Sequence, residues 1–235
     1  MTMFSMARRG GRDWLRTSHL QPIALASTIA AGAIAAVAYL LWPTWGTVGS
    51  EGPQRLPVSI GGTLFNVPNA AIRMKIQRHS GPAERIDLCF SYPSLQPPEA
   101  QKRVSADEVA EQMTQPVDRI FLSIAAHHDS LSPDMRVRSI YPRYLEQAST
   151  PGEDGLTMRA FRADTPYGGE DLYYANRPAF TARCTRDAST SGMCLSERRI
   201  EGADLTFRFP RSWLAQWQEI AGAMDRLTLQ LRGGK

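Results

Sequence analysis

The 235-residue chain is 43% apolar and 21% charged, which excludes a disordered polyelectrolyte and fits a globular fold. Its net charge is +4, but residues 1–21 hold Arg8, Arg9, Arg12 and Arg16 against Asp13, leaving 23 basic and 22 acidic residues in the remainder. A domain so nearly balanced projects no field that gathers phosphate, so no nucleic-acid partner is expected.

Between Arg16 and Glu51 there is no Asp, Glu, Lys or Arg. As a helix, the segment from Pro22 to Trp42 would span about 31 Å, close to the ~30 Å hydrocarbon thickness of a bilayer. Pro22 suits a first helical turn. Trp14 before the segment, and Tyr39, Trp42 and Trp45 at its far end, suit the membrane–water interface. The rivals are a cleaved signal peptide and a soluble buried helix. "AVA" at 36–38 offers small residues for cleavage, but "YLLWPTW" continues the apolar run and would leave a greasy terminus. The paired arginines of "ARRGG" lack a twin-arginine context. An uncleaved anchor over 22–42 is therefore the reading adopted. Four arginines precede it and only Arg55 follows within fifteen residues, so residues 1–21 are expected in the cytoplasm and the rest in the periplasm of a bacterium.

Residues 43–56, rich in Gly and Pro, read as a linker, and 57–235 as one extracytoplasmic domain. Gly61–Gly62 between short apolar runs reads as a two-residue hairpin turn. "RIDLCFSY" reads as a strand with Ile86, Leu88 and Phe90 on one face and Asp87, Cys89 and Ser91 on the other. "SADEVAEQM" carries a Ser105…Glu108 capping box and reads as a helix. "DRIFLSIAAHH" alternates as a strand, with Ile120, Leu122, Ile124 and Ala126 on one side. "SPDMRVRSIYPRYLEQA" reads as a helix capped by Ser132 and broken at Pro142. Strands follow over "LTMRAFR", "DLYYAN" and around 179–184, 194–200 and 204–209. From Arg211 to Leu231 the stripe Leu214, Trp217, Ile220, Ala221, Met224, Leu227 and Leu231 marks an amphipathic helix, with Gly233 as its stop. Strands outnumber helices without regular alternation. The expected fold class is thus α+β: a transmembrane helix, then one mostly antiparallel sheet domain with a few helices.

Cys184 and Cys194 bracket the polar loop "TRDASTSGM" between two strands, which brings both ends together. In an oxidising compartment a disulfide there is expected, contributing about 2–3 kcal/mol. Zinc lacks a second Cys/His pair, and no cofactor or metal is expected. Cys89 is left over as a half-buried free thiol.

No phosphate-binding glycine loop, nucleophile elbow or metal helix occurs. The remaining catalytic candidates are His127, His128 and Asp129. If the strand runs through them, the two histidines face opposite sides and cannot share an ion, although one can pair with Asp129 or a distant residue. His79 reads as part of a turn. Glu153–Asp154 and Glu170–Asp171 are adjacent acids in Gly-flanked loops; glycosidase-like chemistry needs two carboxylates set across a cleft. Tyr173, Tyr174 and Phe180 read as sheet packing, Trp213 and Trp217 as core.

The segments "SIYPRYLEQ", "GLTMRAF", "FTARC" and "RFPRSWLAQW" resemble those of bacterial single-pass membrane proteins with a small extracytoplasmic domain. The resemblance implies no activity and transfers no catalytic residue. The function expected is a non-enzymatic envelope protein, bound to the lipid bilayer, whose periplasmic domain binds another envelope component. The alternatives are an envelope hydrolase using His127 or His128 with a loop carboxylate, and a ligand sensor using Tyr173 or Tyr174.

Overall fold

A computed structural model of the chain describes residues 20–41, 54–99, 117–188 and 190–233. The chain divides into two compact units, Met1–Glu51 and Gly52–Lys235.

In the first unit the expected helix forms over Leu20–Leu41, with no acidic residue in its first turn and no basic residue in its last. Pro22 lies in that first turn, and Trp42 lies outside the described residues. The side chains of residues 25–37 are all exposed, including Leu25, Ile29, Ile34 and Val37. Among the described residues no helix is long and apolar enough to cross a membrane.

In the second unit, β1 (Arg55–Ile60) and β2 (Thr63–Pro68) form the expected hairpin. Gly61 and Gly62 turn it with φ of 56° and 81°, values that only glycine takes at no steric cost. A Cβ on Gly61 would overlap the Gly202 carbonyl, and one on Gly202 would overlap that of Gly61. The close approach of these two turns locks the small sheet to the large one. A short β3 (Gly81–Pro82) pairs parallel to β1.

The large sheet has eight antiparallel strands in the order β4-β5-β11-β10-β9-β8-β7-β6. Its strands are β4 (Arg85–Ser91), β5 (Arg119–Ala126), β6 (Thr150–Pro151), β7 (Thr157–Ala160), β8 (Glu170–Asn176), β9 (Ala179–Thr185), β10 (Met193–Ile200) and β11 (Ala203–Pro210). This is the mostly antiparallel domain the alternation predicts. One core face is laid by Ile86, Leu88 and Phe90 of β4, Ile120, Leu122 and Ile124 of β5, and Leu205, Phe207 and Phe209 of β11. The C-terminal helix, Trp217–Leu231, covers it with the whole predicted stripe buried. Residues Arg211–Gln216 are a tighter 3-10 turn rather than α-helix. A second cluster, Tyr141, Leu145, Phe161 and Leu172, fills the far end of the sheet.

Two further expectations change. The helix expected from Ser132 onward is only a capped start. Ser132 Oγ accepts from the Met135 backbone N–H, after which residues 136–140 widen into a π-turn and 141–143 tighten into 3-10. Pro142, having no N–H, cannot continue an α-helical ladder. Cys89 is buried rather than half-buried, at 5% exposure. The segment after β2 covers the outer side of β4: Ile72 bridges Leu88, the Arg73 N–H donates to Asp87 O, and the Arg73 guanidinium lies over Phe121. The helix expected over "SADEVAEQM" lies outside the described residues.

Candidate functional site

The predicted histidines sit where four chain turns meet. β5 ends at Ala126, and His128 and Asp129 then take left-handed φ of 39° and 59°. The strand does not run through the histidines, so their relation is set by a turn and not by strand alternation. The His127 N–H donates to Gly202 O, and the Asp129 N–H donates to His127 Nδ1 at 3.2 Å. His128 Nε2 stands 2.7 Å from Glu84 Oε2. The partner is thus a distant carboxylate rather than Asp129. These side chains border a shallow cleft of about 490 Å³, shared with Ser59, Gly61 and Gly202. His128 and Glu84 are 73% and 81% exposed, so the pair forms in water, where such contacts contribute little. Chemically it is an acid–base couple without the desolvation that sharpens one.

Glu170 and Asp171 begin β8, where successive side chains leave opposite faces. Treating Gly168–Gly169 as a loop that continued through Glu170 misplaced them. Glu170 Oε2 lies 2.8 Å from Arg183 Nε, paired as charges though out of hydrogen-bond alignment. Asp171 is buried between two arginines, at 2.9 Å from Arg186 Nε and 2.8 Å from an Arg211 terminal nitrogen. Arg211 also donates to Tyr173 Oη at 2.6 Å and to Thr185 O at 3.1 Å. This satisfied network ties β8, the end of β9 and the end of β11 together. Asp154 sits in a left-handed turn at φ 50°, and the Glu153 side chain lies outside the described residues.

Cys184 and Cys194 form the predicted disulfide. They face each other across β9 and β10, whose ladder has two pairs only, Cys194↔Cys184 and Leu195↔Arg183. Beyond Leu195 the strands diverge. The gap opens a groove of about 620 Å³ bordered by Tyr174, Ala179 and Thr181 on one side and Ser196, Glu197 and Arg198 on the other. Asp134, Arg138 and Asp225 also border it. Arg198 pairs with Asp225, and Arg136 with Glu197 at 3.1 Å. Tyr174 therefore borders the groove, while Tyr173 turns to Arg211. Phe180 packs on Trp217 at 5.4 Å, and Trp213 stacks on Tyr92 at 4.5 Å. His79 lies in the exposed turn before β3, and its Nδ1 is 3.3 Å from Ser80 O. Among the described residues no group of three or more His, Cys, Asp or Glu is placed to hold a metal. The groove had no sequence signal, because a short ladder between strands is a property of pairing and not of either strand.

No family model matches the chain, and no curated protein matches it. Among solved structures, the chain is similar in fold to an immunity protein of the Stenotrophomonas maltophilia type IV secretion system. The TM-score is 0.50 at 13% identity, covering 75% of this chain and 92% of that one. The iron-regulated outer membrane lipoprotein FrpD of Neisseria meningitidis matches with a TM-score of 0.44 at 14% identity, covering 77% of this chain and 92% of that one. At such identity the first likeness is one of fold alone.

Proposed function

We propose that the chain is a membrane-anchored, non-enzymatic envelope protein whose domain, Gly52–Lys235, faces the periplasm and binds another envelope protein through the groove between β9 and β10. The observation that carries the reading is the divergence of those strands after two ladder pairs. It leaves the edges of β9 and β10 turned toward each other without ladder partners, and an extended segment can add to such edges. The rim mixes Asp134, Arg138, Glu197, Arg198 and Asp225 with Tyr174, a composition suited to a polar protein surface rather than to a small apolar ligand. Placement rests on the uncharged helix Leu20–Leu41, on the arginines before it, and on a disulfide that calls for an oxidising compartment. The fold it shares with a secretion-system immunity protein is in keeping with the same reading.

The test is a photo-crosslinking side chain in place of Tyr174, used in native membranes. The expected result is one specific protein adduct, reduced at least tenfold by Arg138→Glu. No specific adduct, or one indifferent to Arg138, would refute it. A cytoplasm-only reporter fused after Lys235 should be inactive; activity would overturn the orientation.

The 2.7 Å contact of His128 with Glu84 favours one second reading, an envelope hydrolase using that pair. Replacing His128 by Ala and Glu84 by Gln together separates the readings: an unchanged phenotype with unchanged folding removes the hydrolase.

A further inference from the structure

From Gly52 to Ala83 the sequence has no acidic residue, yet it carries Arg55, Arg73, Lys75 and Arg78. None of these four cations has an ion-pair partner among the described residues, although Arg55 donates to the Asn66 and Gln230 carbonyls, Arg78 donates to that of Ile72 and Arg73 lies over Phe121; Arg85, Arg119, Arg136, Arg183, Arg186 and Arg199 elsewhere in the domain do have one. Asp87, which Gln77 of the same segment contacts, is held by Arg85 at 2.8 Å. Between the cations stand Met74 and Ile76, 52% and 82% exposed; Ile76 is the most exposed large apolar side chain among the described residues. Along this segment the two exposed apolar side chains alternate with the cations.

Geometry adds a second observation. Arg55 and Arg78 border one cavity of about 530 Å³ with Gln54, Asn69 and Gln96 and no carboxylate. The Asn69 Oδ1 atom there is buried without a hydrogen-bond partner. Gln54 is where the chain from the N-terminal helix enters the domain, fixed by its carbonyl to the Asn69 N–H at 2.9 Å. The helix ends at Leu41 and β1 begins at Arg55, so the intervening residues reach at most about 45 Å when fully extended.

We infer that the segment Arg73–Arg78, with Arg73, Lys75 and Arg78 around Met74 and Ile76 and with Arg55 sharing a cavity with Arg78, docks the domain onto the anionic headgroups of the membrane that holds its anchor. Met74 and Ile76 enter the boundary between headgroups and acyl chains, and the cations meet lipid phosphates around them. The inference rests on the anchored reading above. It goes further by assigning the tether end of the domain to lipid, which leaves the groove between β9 and β10 free for a protein. An acidic protein is the rival occupant of a basic patch, but the position of the tether favours lipid, because the patch adjoins the attachment point.

The full chain is assembled into nanodiscs of phosphatidylcholine with or without phosphatidylglycerol, carrying an environment-sensitive dye on Ile76→Cys. A control carries the dye on Met135→Cys, an exposed site on the segment that packs beside β10. The expected result is a blue shift and loss of aqueous quenching at 76 with phosphatidylglycerol, a smaller change without it, and no change at 135. Replacing Arg73, Lys75 and Arg78 by Gln should weaken the anionic-lipid contact by about fivefold per cation. A dye at 76 that stays fully quenched in both lipids, or a site at 135 that shifts equally, would overturn the inference while leaving the anchor standing. A chain that does not co-elute with the disc removes the anchor instead. The labelled chain is then floated with phosphatidylglycerol vesicles, where co-flotation with the blue shift sustains the contact and failure to float sinks it.

Discussion

Replacing both Cys184 and Cys194 by Ala should cost about 2.7 kcal/mol, the chain-entropy value for a sequence separation of 10. The structure makes this a loss with little compensation. Both sulfurs are fully buried, and the bond crosses the only two ladder pairs between β9 and β10. For a domain of this size, roughly 2–4 °C accompanies each kcal/mol, so the melting midpoint of the detergent-solubilised chain should fall by about 5–10 °C. Reducing the unmodified chain with a phosphine should give the same shift, and adding reductant to the double variant should change nothing further. Hydrogen exchange should rise first at residues 179–182 and 196–198, the divergent parts of the two strands, before β10–β11 opens. A drop below about 1 kcal/mol, or protection in β9 and β10 indistinguishable from that of the unmodified chain, would refute the view that the bond clasps a weak joint.

Other consequences follow from single contacts. Gly61→Ala should cost at least about 2 kcal/mol in urea unfolding, since it needs φ of 56° and meets the Gly202 backbone. Gly62→Ala, with open space around it, should cost nearer 1. Asp171→Asn should cost about 3 kcal/mol by the same measurement, at the low end for a broken buried pair because Arg186 is 43% exposed. Burial pushes the Cys89 thiol up, so a thiol reagent at neutral pH should leave the folded, unreduced chain unmodified and take up one equivalent after unfolding. Burial also pushes the Asp87 carboxyl up, but hydrogen bonds from Arg85, Gln77 and Ser123 outweigh it and hold the group below the ordinary carboxylate range. The unfolded state then binds its proton first, so this contribution is full above about pH 4 and fades as pH falls below it. Asp87→Asn should flatten the acid limb of the stability profile, and an unchanged limb would contradict the assignment.

What could be read before folding was whatever neighbours in the chain decide. The Gly61–Gly62 turn, the period-two faces of β4 and β5, the helical stripe from Leu214 to Leu231 and the cysteines flanking one polar loop all rest on residues a few positions apart. The misreadings share the opposite cause. Cys89 is covered by a segment from before β3, and Glu170 and Asp171 find arginines on β9, after β9 and after β11; the distant partner left open for a histidine is Glu84, forty-four positions from His128. The missing acids between Gly52 and Ala83 were visible in the composition. They acquire meaning only once Arg55 and Arg78 are seen to share a cavity.

The sheet behaves as two ladders joined at one end. β4, β5, β11 and β10 are continuously paired, as are β9, β8 and β7, with eight pairs between β10 and β11 and seven between β8 and β9. Across the joint there are two pairs and the disulfide. The same end is braced by Arg211, which leaves β11 to reach Asp171 on β8 and the Thr185 carbonyl of β9. Underneath, Phe180 of β9 packs on Phe209 of β11 and on Trp217 of the C-terminal helix, so the core also crosses the seam. A gap held this firmly at its closed end is already shaped before anything binds. A strand adding there, as proposed, would order little of the host and lose less of its interaction energy to rigidification. The bond that stabilises the fold thus sits at the closed end of the joint, beside the last ladder pair, from which the groove opens.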